Sequence, residues 1–350
     1  MLATALLLLN PKLSGQDPGF SHFVMSPMYY NPASCGGQPN DLQVRMSYRN
    51  QWYGLKSAFN TGLFSADIYD PYIGALGVLA LSDTEGEGSL HTSQIGACYA
   101  HKYPVIAEQL SIHLGLMACF VQKSIDWSKI HFDDEFDKVL GQVYPSGFVP
   151  PARSSVIYPD FNTGILITSN LGRNYHNRHR FYNEIGFSMS HITRPDYSLL
   201  GINSRLPIKY VFHFKGIYNK YERQDFFISP ALMIEQQASM RTVTYGSNIV
   251  FNQAFIGLWI RNRQIAAAES FDAVSVCAGV VFETESRSQV IVSYNYDFTV
   301  SPLKSGTLGS HEVNVFWKMT KVHLSGKSSG RQVERQRQKP VPCPGSGRAF

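Results

Sequence analysis

The chain lacks any apolar run of the 18 or more residues that a transmembrane helix requires. Charge is sparse as well. Asp, Glu, Lys and Arg make up 16% of the sequence, against about a quarter in an ordinary soluble domain. The five cysteines, Cys35, Cys98, Cys119, Cys277 and Cys343, form no CxxC pair and are odd in number, which leaves zinc ligation little support. Motifs for catalysis are missing too: there is no GxSxG, no HExxH and no Walker loop. What the chain does have is aromatic side chains, 13% of residues, at a mean hydropathy of only −0.15. Low charge, many Tyr and Phe and near-neutral hydropathy suit an outer-membrane β-barrel. A secreted β-sandwich has a similar composition.

The two ends differ from the middle. Residues 2–9 (LATALLLL), followed by the small Ser14 and Gly15, look like the apolar region and cleavage site of a secretory signal peptide over 1–15. From Lys321 to Phe350 there are seven Lys or Arg and one Glu, 7 − 1 = +6, so the remainder carries 5 − 6 = −1. The tail, 320–350, is rich in Gly, Ser, Gln and Pro and reads as flexible chain rather than a nucleic-acid arm. Residues 16–42 form an aromatic and turn-rich stretch without a period, expected to pack its rings against something, as in a barrel mouth.

From residue 43 to 319, alternating segments follow one another: 43–49, 57–67, 73–81, 93–101, 109–120, 161–168, 181–191, 209–219, 226–236, 240–250, 254–260, 273–283, 288–298 and 310–319. In the thirteenth, Val290, Val292, Tyr294, Tyr296 and Phe298 share one side while Ser293, Asn295 and Asp297 share the other. Such period-two alternation marks strands with one oily and one wet face. Several segments reach the 9–11 residues of a tilted membrane strand. The fold expected is all-β: an antiparallel transmembrane β-barrel of about 14 strands, closed because lipid satisfies no open edge. Tyr99, Phe181, Tyr218 and Phe298 stand where interfacial girdles belong.

The long interruption at 126–160 has Phe132, Phe136 and Leu140 at four-residue spacing, which predicts a short amphipathic helix. With the first strand running outward, this loop and Val300–Gly309 both face the cell exterior. Asp133, Asp134, Glu135 and Asp137 lack the spacing of a calcium loop and read as a solvated face. His101, His113, His191 and His213 are scattered singly, as at ordinary strand positions. No cofactor and no metal are expected.

Several motifs, taken in order, resemble the PorP/SprF family of Bacteroidetes outer-membrane proteins. They are QDPGFSHF from Gln16 with Asn31-Pro32-Ala33; Tyr48-Arg49-Asn50-Gln51-Trp52; Tyr158-Pro159-Asp160-Phe161 with Gly164; Gly186-Phe187-Ser188 with His191 and Pro195; and Ser293-Tyr294-Asn295-Tyr296-Asp297 with Gly309-Ser310-His311-Glu312. The resemblance spans about 16–319, and the basic tail departs from it. It implies a non-enzymatic barrel of the type IX secretion and gliding-motility pathway. Such a barrel works in the outer-membrane lipid bilayer with other type IX secretion components and with secreted proteins bearing C-terminal sorting domains, and takes no nucleic acid. The residues expected to carry family motifs or face partners are Tyr48, Arg49, Gln51, Trp52, Asp126, Trp127, Tyr294, Tyr296, Asp297, Gly309, Ser310, His311 and Glu312. Two other functions stay open: an outer-membrane channel for small solutes or lipids, with Gln109, Ser111, His113, Lys215, Glu283, Asn295 and Asp297 lining a wet pore, and a secreted carbohydrate-binding β protein.

Overall fold

A computed structural model describes residues 17–37, 41–55, 59–86, 89–106, 109–137, 141–142, 145–151, 154–171, 179–199, 204–220, 226–263, 271–284, 288–300 and 304–320. The signal peptide expected over 1–15, the tail from Lys321 onward and Cys343 lie outside the described residues.

All the alternating segments are strands, most of them longer than the pattern alone marks. They are β1 (Leu42–Gln51), β2 (Phe59–Asp70), β3 (Gly74–Glu85), β4 (Leu90–Ile106), β5 (Leu110–Ile125), β6 (Ser155–Leu171), β7 (His179–Ser190), β8 (Lys209–Lys220), β9 (Phe226–Gln237), β10 (Met240–Phe251), β11 (Ala254–Asn262), β12 (Phe271–Glu283), β13 (Gln289–Thr299) and β14 (Ser310–Met319). Each pairs antiparallel with its sequence neighbours, and β1 closes on β14 from Leu42↔Met319 to Gln51↔Ser310. One closed sheet of fourteen strands excludes the sandwich.

The alternation sorts side chains between outside and lumen. In β14, Val313 and Trp317 are exposed on the outer wall, whereas Glu312, Asn314 and Lys318 are buried inside. Ile95, Phe120, Ile157 and Ile256 are 65–71% exposed on that wall. A ring of such residues in water would be an aggregation surface; in hydrocarbon it is the matching solvent. Tyr99, Phe181 and Phe298 are exposed as a girdle requires, and Phe181 packs on Tyr218 at 5.0 Å between ring centroids.

Connections fix the orientation. At the end where β1 begins, few residues separate successive strands: 71–73, 107–109, 172–178, 221–225, 252–253 and 284–288. At the other end run 126–154, 191–208 and 300–309. Barrels of this class put short turns in the periplasm and long loops outside, so β1 runs outward.

The helix expected around Phe132, Phe136 and Leu140 does not form. Trp127–Lys129 and Asp133–Glu135 are single 3-10 turns, and Phe136–Asp137 pairs with Gly141–Gln142 in a minimal ribbon; Leu140 lies outside the described residues. The Asp134 carboxylate accepts instead from Ser146 Oγ at 2.9 Å and Gly147 N at 2.6 Å. Two turns of helix cannot stand alone, and these bonds fold the segment across itself. The 300–309 loop holds a single helical turn, α1 (Lys304–Thr307).

Candidate functional site

The lumen is occupied by the chain's own residues 17–37. They run from the outer mouth, where Asp17 meets the ends of β7, β8 and β9, down to the periplasmic end, where Gly36 meets β2. Phe20, Phe23, Met25, Met28, Tyr30, Ala33 and Cys35 are at most 5% exposed. Pro27 and Pro32 start short helical turns at Pro27–Tyr30 and Pro32–Ser34, and Asn31 caps the second by accepting from Ala33 N at 2.9 Å. The compact shape of this plug follows from those local signals.

The wall is shaped to receive it. Inward-facing Gly115 and Gly164 stand opposite the plug's middle. A Cβ on Gly115 would overlap the backbone of Pro32 and Ala33, and one on Gly164 would overlap the Asn31 side chain. Asn31 Nδ2 donates to Ile165 O at 3.1 Å and lies 3.0 Å from His213 Nε2. Ser188 Oγ donates to Tyr30 O at 2.5 Å, and Cys98 Sγ to Pro32 O at 3.4 Å. The motif residues Asn31-Pro32-Ala33, Gly164 and Gly186, far apart in sequence, are thus two sides of one contact. Cys35, Cys98, Cys119 and Cys277 are buried free thiols, as small core residues should be.

Two polar clamps hold the plug at its outer half. In the first, Glu312 accepts from Ser21 N at 2.5 Å, His22 N at 3.2 Å, Asn295 Nδ2 at 3.1 Å and Asn314 Nδ2 at 3.0 Å. Beside it, Asp297 accepts from Ser21 Oγ and Ser275 Oγ, each at 2.5 Å, and pairs with Arg49 at 3.1 Å and Arg261 at 3.5 Å. Arg49 also donates to Gly19 O. In the second clamp, His191 lies 2.8 Å from Asp17 and 2.9 Å from Asp160, while Lys209 pairs with Glu235 at 2.9 Å and approaches Asp17 at 3.8 Å. Burial opposes charge on His191, but the two carboxylates outweigh it and push the imidazole up to about 10. Burial likewise opposes ionisation of Asp17, and His191 and Lys209 hold its carboxyl well below the usual range. His22, by contrast, is pushed down to about 3 by burial and by the Lys215 charge, so it sits neutral against Trp259 and 3.0 Å from Asn248 Nδ2.

The residues expected to face partners separate by direction. Arg49, Asp297 and Glu312 point inward and hold the plug; their side chains do not reach the outer surface. Tyr48, Tyr294, Tyr296 and His311 lie on the outer wall near the rim. Tyr294 Oη is 2.6 Å from His311 Nδ1, Tyr296 Oη donates to Leu308 O at 3.0 Å, and Tyr48 Oη to Asn60 at 3.0 Å. Gln51, Trp52, Gly309 and Ser310 close the β1–β14 seam: Gln51 pairs with Ser310, and Trp52 N donates to Gly309 O at 2.9 Å. Gly309 has φ +78°, and a Cβ there would strike Asp297 O. Asp126 and Trp127 stand apart in the long outer loop, Asp126 capping Ser128 and Trp127 packing on Phe148 at 5.5 Å.

His191 is not an ordinary strand residue; it lies just past β7 with φ +60° and bridges two acids. Its partner Asp17 is 174 residues away, a separation that leaves no period in the sequence. Gln109 and Glu283 are exposed at the periplasmic rim rather than in the lumen.

Among solved structures, the fold is similar to the CymD monoaromatic hydrocarbon channel (TM-score 0.48, 12% identity, covering 89% of this chain and 96% of that one). It is also similar to the Ralstonia pickettii toluene transporter TbuX (0.46, 9%, 85% and 94%) and a Pseudomonas aeruginosa FadL homologue (0.43, 10%, 85% and 94%). Comparison with curated proteins finds no match. The family model described as type IX secretion system membrane protein PorP/SprF matches residues 12–317. The chain therefore belongs to the PorP/SprF family, as an outer-membrane β-barrel of the type IX secretion system.

Proposed function

We propose that this barrel is a closed, non-conducting anchor, which supports secretion or surface attachment of large proteins such as adhesins through protein–protein contacts. The observation that carries the reading is the plug: residues 17–37 fill the lumen and are clamped to β1, β7, β8, β13 and β14. A lumen filled by the chain's own N-terminal segment leaves little room for an open aqueous path, which favours a closed barrel. Partners are other type IX components and exported proteins with C-terminal sorting domains. They meet Asp126–Tyr158 and Val300–Gly309, where Phe148 and Val149 stand 39% and 84% exposed at the outer end. Loops carry such contacts because the scaffold beneath holds them still. The test is deletion of 128–150, or of 302–307, in the native host. Adhesin display at the surface is expected to fail while the barrel stays in the outer membrane; normal display in both deletions would remove the proposal. The channel reading is separated by conductance, since the intact chain is expected to be silent in a planar bilayer.

A further inference from the structure

The lower end of the plug brings two sulfur atoms together. Cys35 follows the Pro32–Ser34 turn, and its N donates to Pro32 O at 3.1 Å. Cys98, inward on β4, donates from Sγ to the same oxygen at 3.4 Å. One carbonyl therefore holds both residues. Directly opposite Cys98 in the β3–β4 ladder stands Gly77. A Cβ at Gly77 would lie 2.8 Å from Cys35 Sγ, so the absent side chain leaves the space that the Cys35 sulfur fills.

The two thiols also interact side chain to side chain, and both are buried, at 1% and 3% exposure. The other described cysteines are poorer partners. Cys119 on β5 is one diagonal step from Cys98, whose direct partner is Met117. Diagonal Cβ atoms stand roughly 7 Å apart, and a disulfide needs about 3.8 Å. Cys277 on β12 donates to Asn248 Oδ1 at 3.4 Å instead. Cys35 and Cys98 thus meet across the boundary between plug and wall. An outer-membrane barrel is assembled from the periplasm, an oxidising compartment in which disulfides form and persist.

From this juxtaposition we propose that Cys35 and Cys98 are joined in the mature barrel by a disulfide, which ties the periplasmic half of the plug covalently to β4. The structure shows the pair in its reduced, dithiol form. The oxidant is a disulfide donor of the periplasm, protein or small molecule. The Cys98 thiolate attacks the donor disulfide, and one donor sulfur leaves as a thiol. The Cys35 thiolate then attacks the mixed disulfide, and the second donor sulfur leaves as a thiol. The two cysteine protons end on the donor, whose disulfide is reduced as the new bond forms. Exchange takes place as residues 17–37 enter, before burial closes off both sulfurs. The outer half of the plug is then held by ion pairs and hydrogen bonds and the inner half by a covalent bond, so 17–25 can leave while 26–37 stays. The link is the same whichever partner the outer loops meet.

The test starts from native outer membranes denatured in N-ethylmaleimide, which traps thiols before air oxidises them. Intact mass is expected to show three of the five cysteines alkylated, and all five when a reductant is added first. A digest should contain a peptide pair joined Cys35–Cys98 that separates on reduction. Cys35→Ser and Cys98→Ser should each free the remaining partner for alkylation. More than three alkylated cysteines before reduction, or a bridge from either residue to a different cysteine, would overturn the proposal. The wild-type measurement decides this even where a variant fails to assemble. The holding role is read in urea that leaves the folded barrel's gel mobility unchanged. There, reductant should speed protease cleavage within 26–37 by about tenfold or more in the wild type, and should add nothing in Cys35→Ser. Equal cleavage of the wild type with and without reductant would overturn that role. Loop deletion and adhesin display bear on the proposed function alone, so the two can fail separately.

Discussion

Glu312→Ala is the most direct way to ask whether the plug is a separable part. Glu312 is 1% exposed and accepts from Ser21 N, His22 N, Asn295 Nδ2 and Asn314 Nδ2. Removing the carboxylate leaves Ser21 N, His22 N and Asn295 Nδ2 without an acceptor, Asn314 Nδ2 keeping Ser293 Oγ at 3.4 Å, and leaves Arg49 and Arg261 facing Asp297 alone. Each unmet buried donor costs roughly 1–3 kcal/mol, so the loss is about 3–8 kcal/mol once water reaches some of them. The three side chains Phe20, Phe23 and Met25, each at most 5% exposed, oppose release of 17–25 by roughly 1.5–3 kcal/mol apiece. The two figures are of similar size. The expected result is a barrel still folded, because its ladder from β1 to β14 is untouched, with residues 17–25 released for part of the time. Two assays read this: protease cleavage within 17–25, expected to rise at least tenfold in rate, and planar-bilayer conductance, expected to change from silence to intermittent openings. A silent bilayer together with unchanged protection of 17–25 would refute the view that this clamp holds the plug.

Other outcomes follow from the same geometry. Gly115→Val puts a side chain where Pro32 and Ala33 pass; it should open the lumen or block assembly, whereas the same change at the outer-loop Gly147 should do neither, as folded-barrel gel mobility will report. The His191 imidazole, raised from 6.5 to about 10, contributes stabilisation on the order of 5 kcal/mol. That contribution is complete below pH 6.5 and is lost as the pH rises through about 10. The Asp17 contribution has the opposite sign, complete above the usual carboxylate value of 3.8 and lost as the pH falls below it. Protease protection of the plug should therefore hold between those limits and fall on both sides, and His191→Gln should lower it across the plateau. Asn31→Ala removes both a helical cap and the contact to His213. It should lower the thermal stability of plug attachment by about 1–2 kcal/mol without changing barrel secondary structure, measured by calorimetry against circular dichroism.

The barrel was legible because its signal is local. Alternation in 109–120 or 288–298 is a property of neighbouring residues, and any chain with that period must place its oily side in one solvent and its polar side in another. The strand ends were less legible: β4 continues through Tyr103 to Ile106, past the point where alternation in the letters fades, because cross-strand pairing to β5 carries it on. The helix expected at Phe132–Leu140 failed for a related reason. Spacing of four is a weak local preference, and the bonds from Asp134 to Ser146 and Gly147 override it.

The sequence by itself determined a barrel of about fourteen strands and their inward and outward faces, since both depend only on period two, and it placed the long loops together on one end, outside if the first strand runs outward. It also displayed the motif residues, without saying what they do. Only the tertiary structure decided that Asn31, Gly115, Gly164, Asp17, His191, Arg49, Asp297 and Glu312 belong to one plug and its socket. Those partners lie up to 291 residues apart, and contact at that range arises from closure of the barrel around the segment, which leaves no periodic trace in the chain.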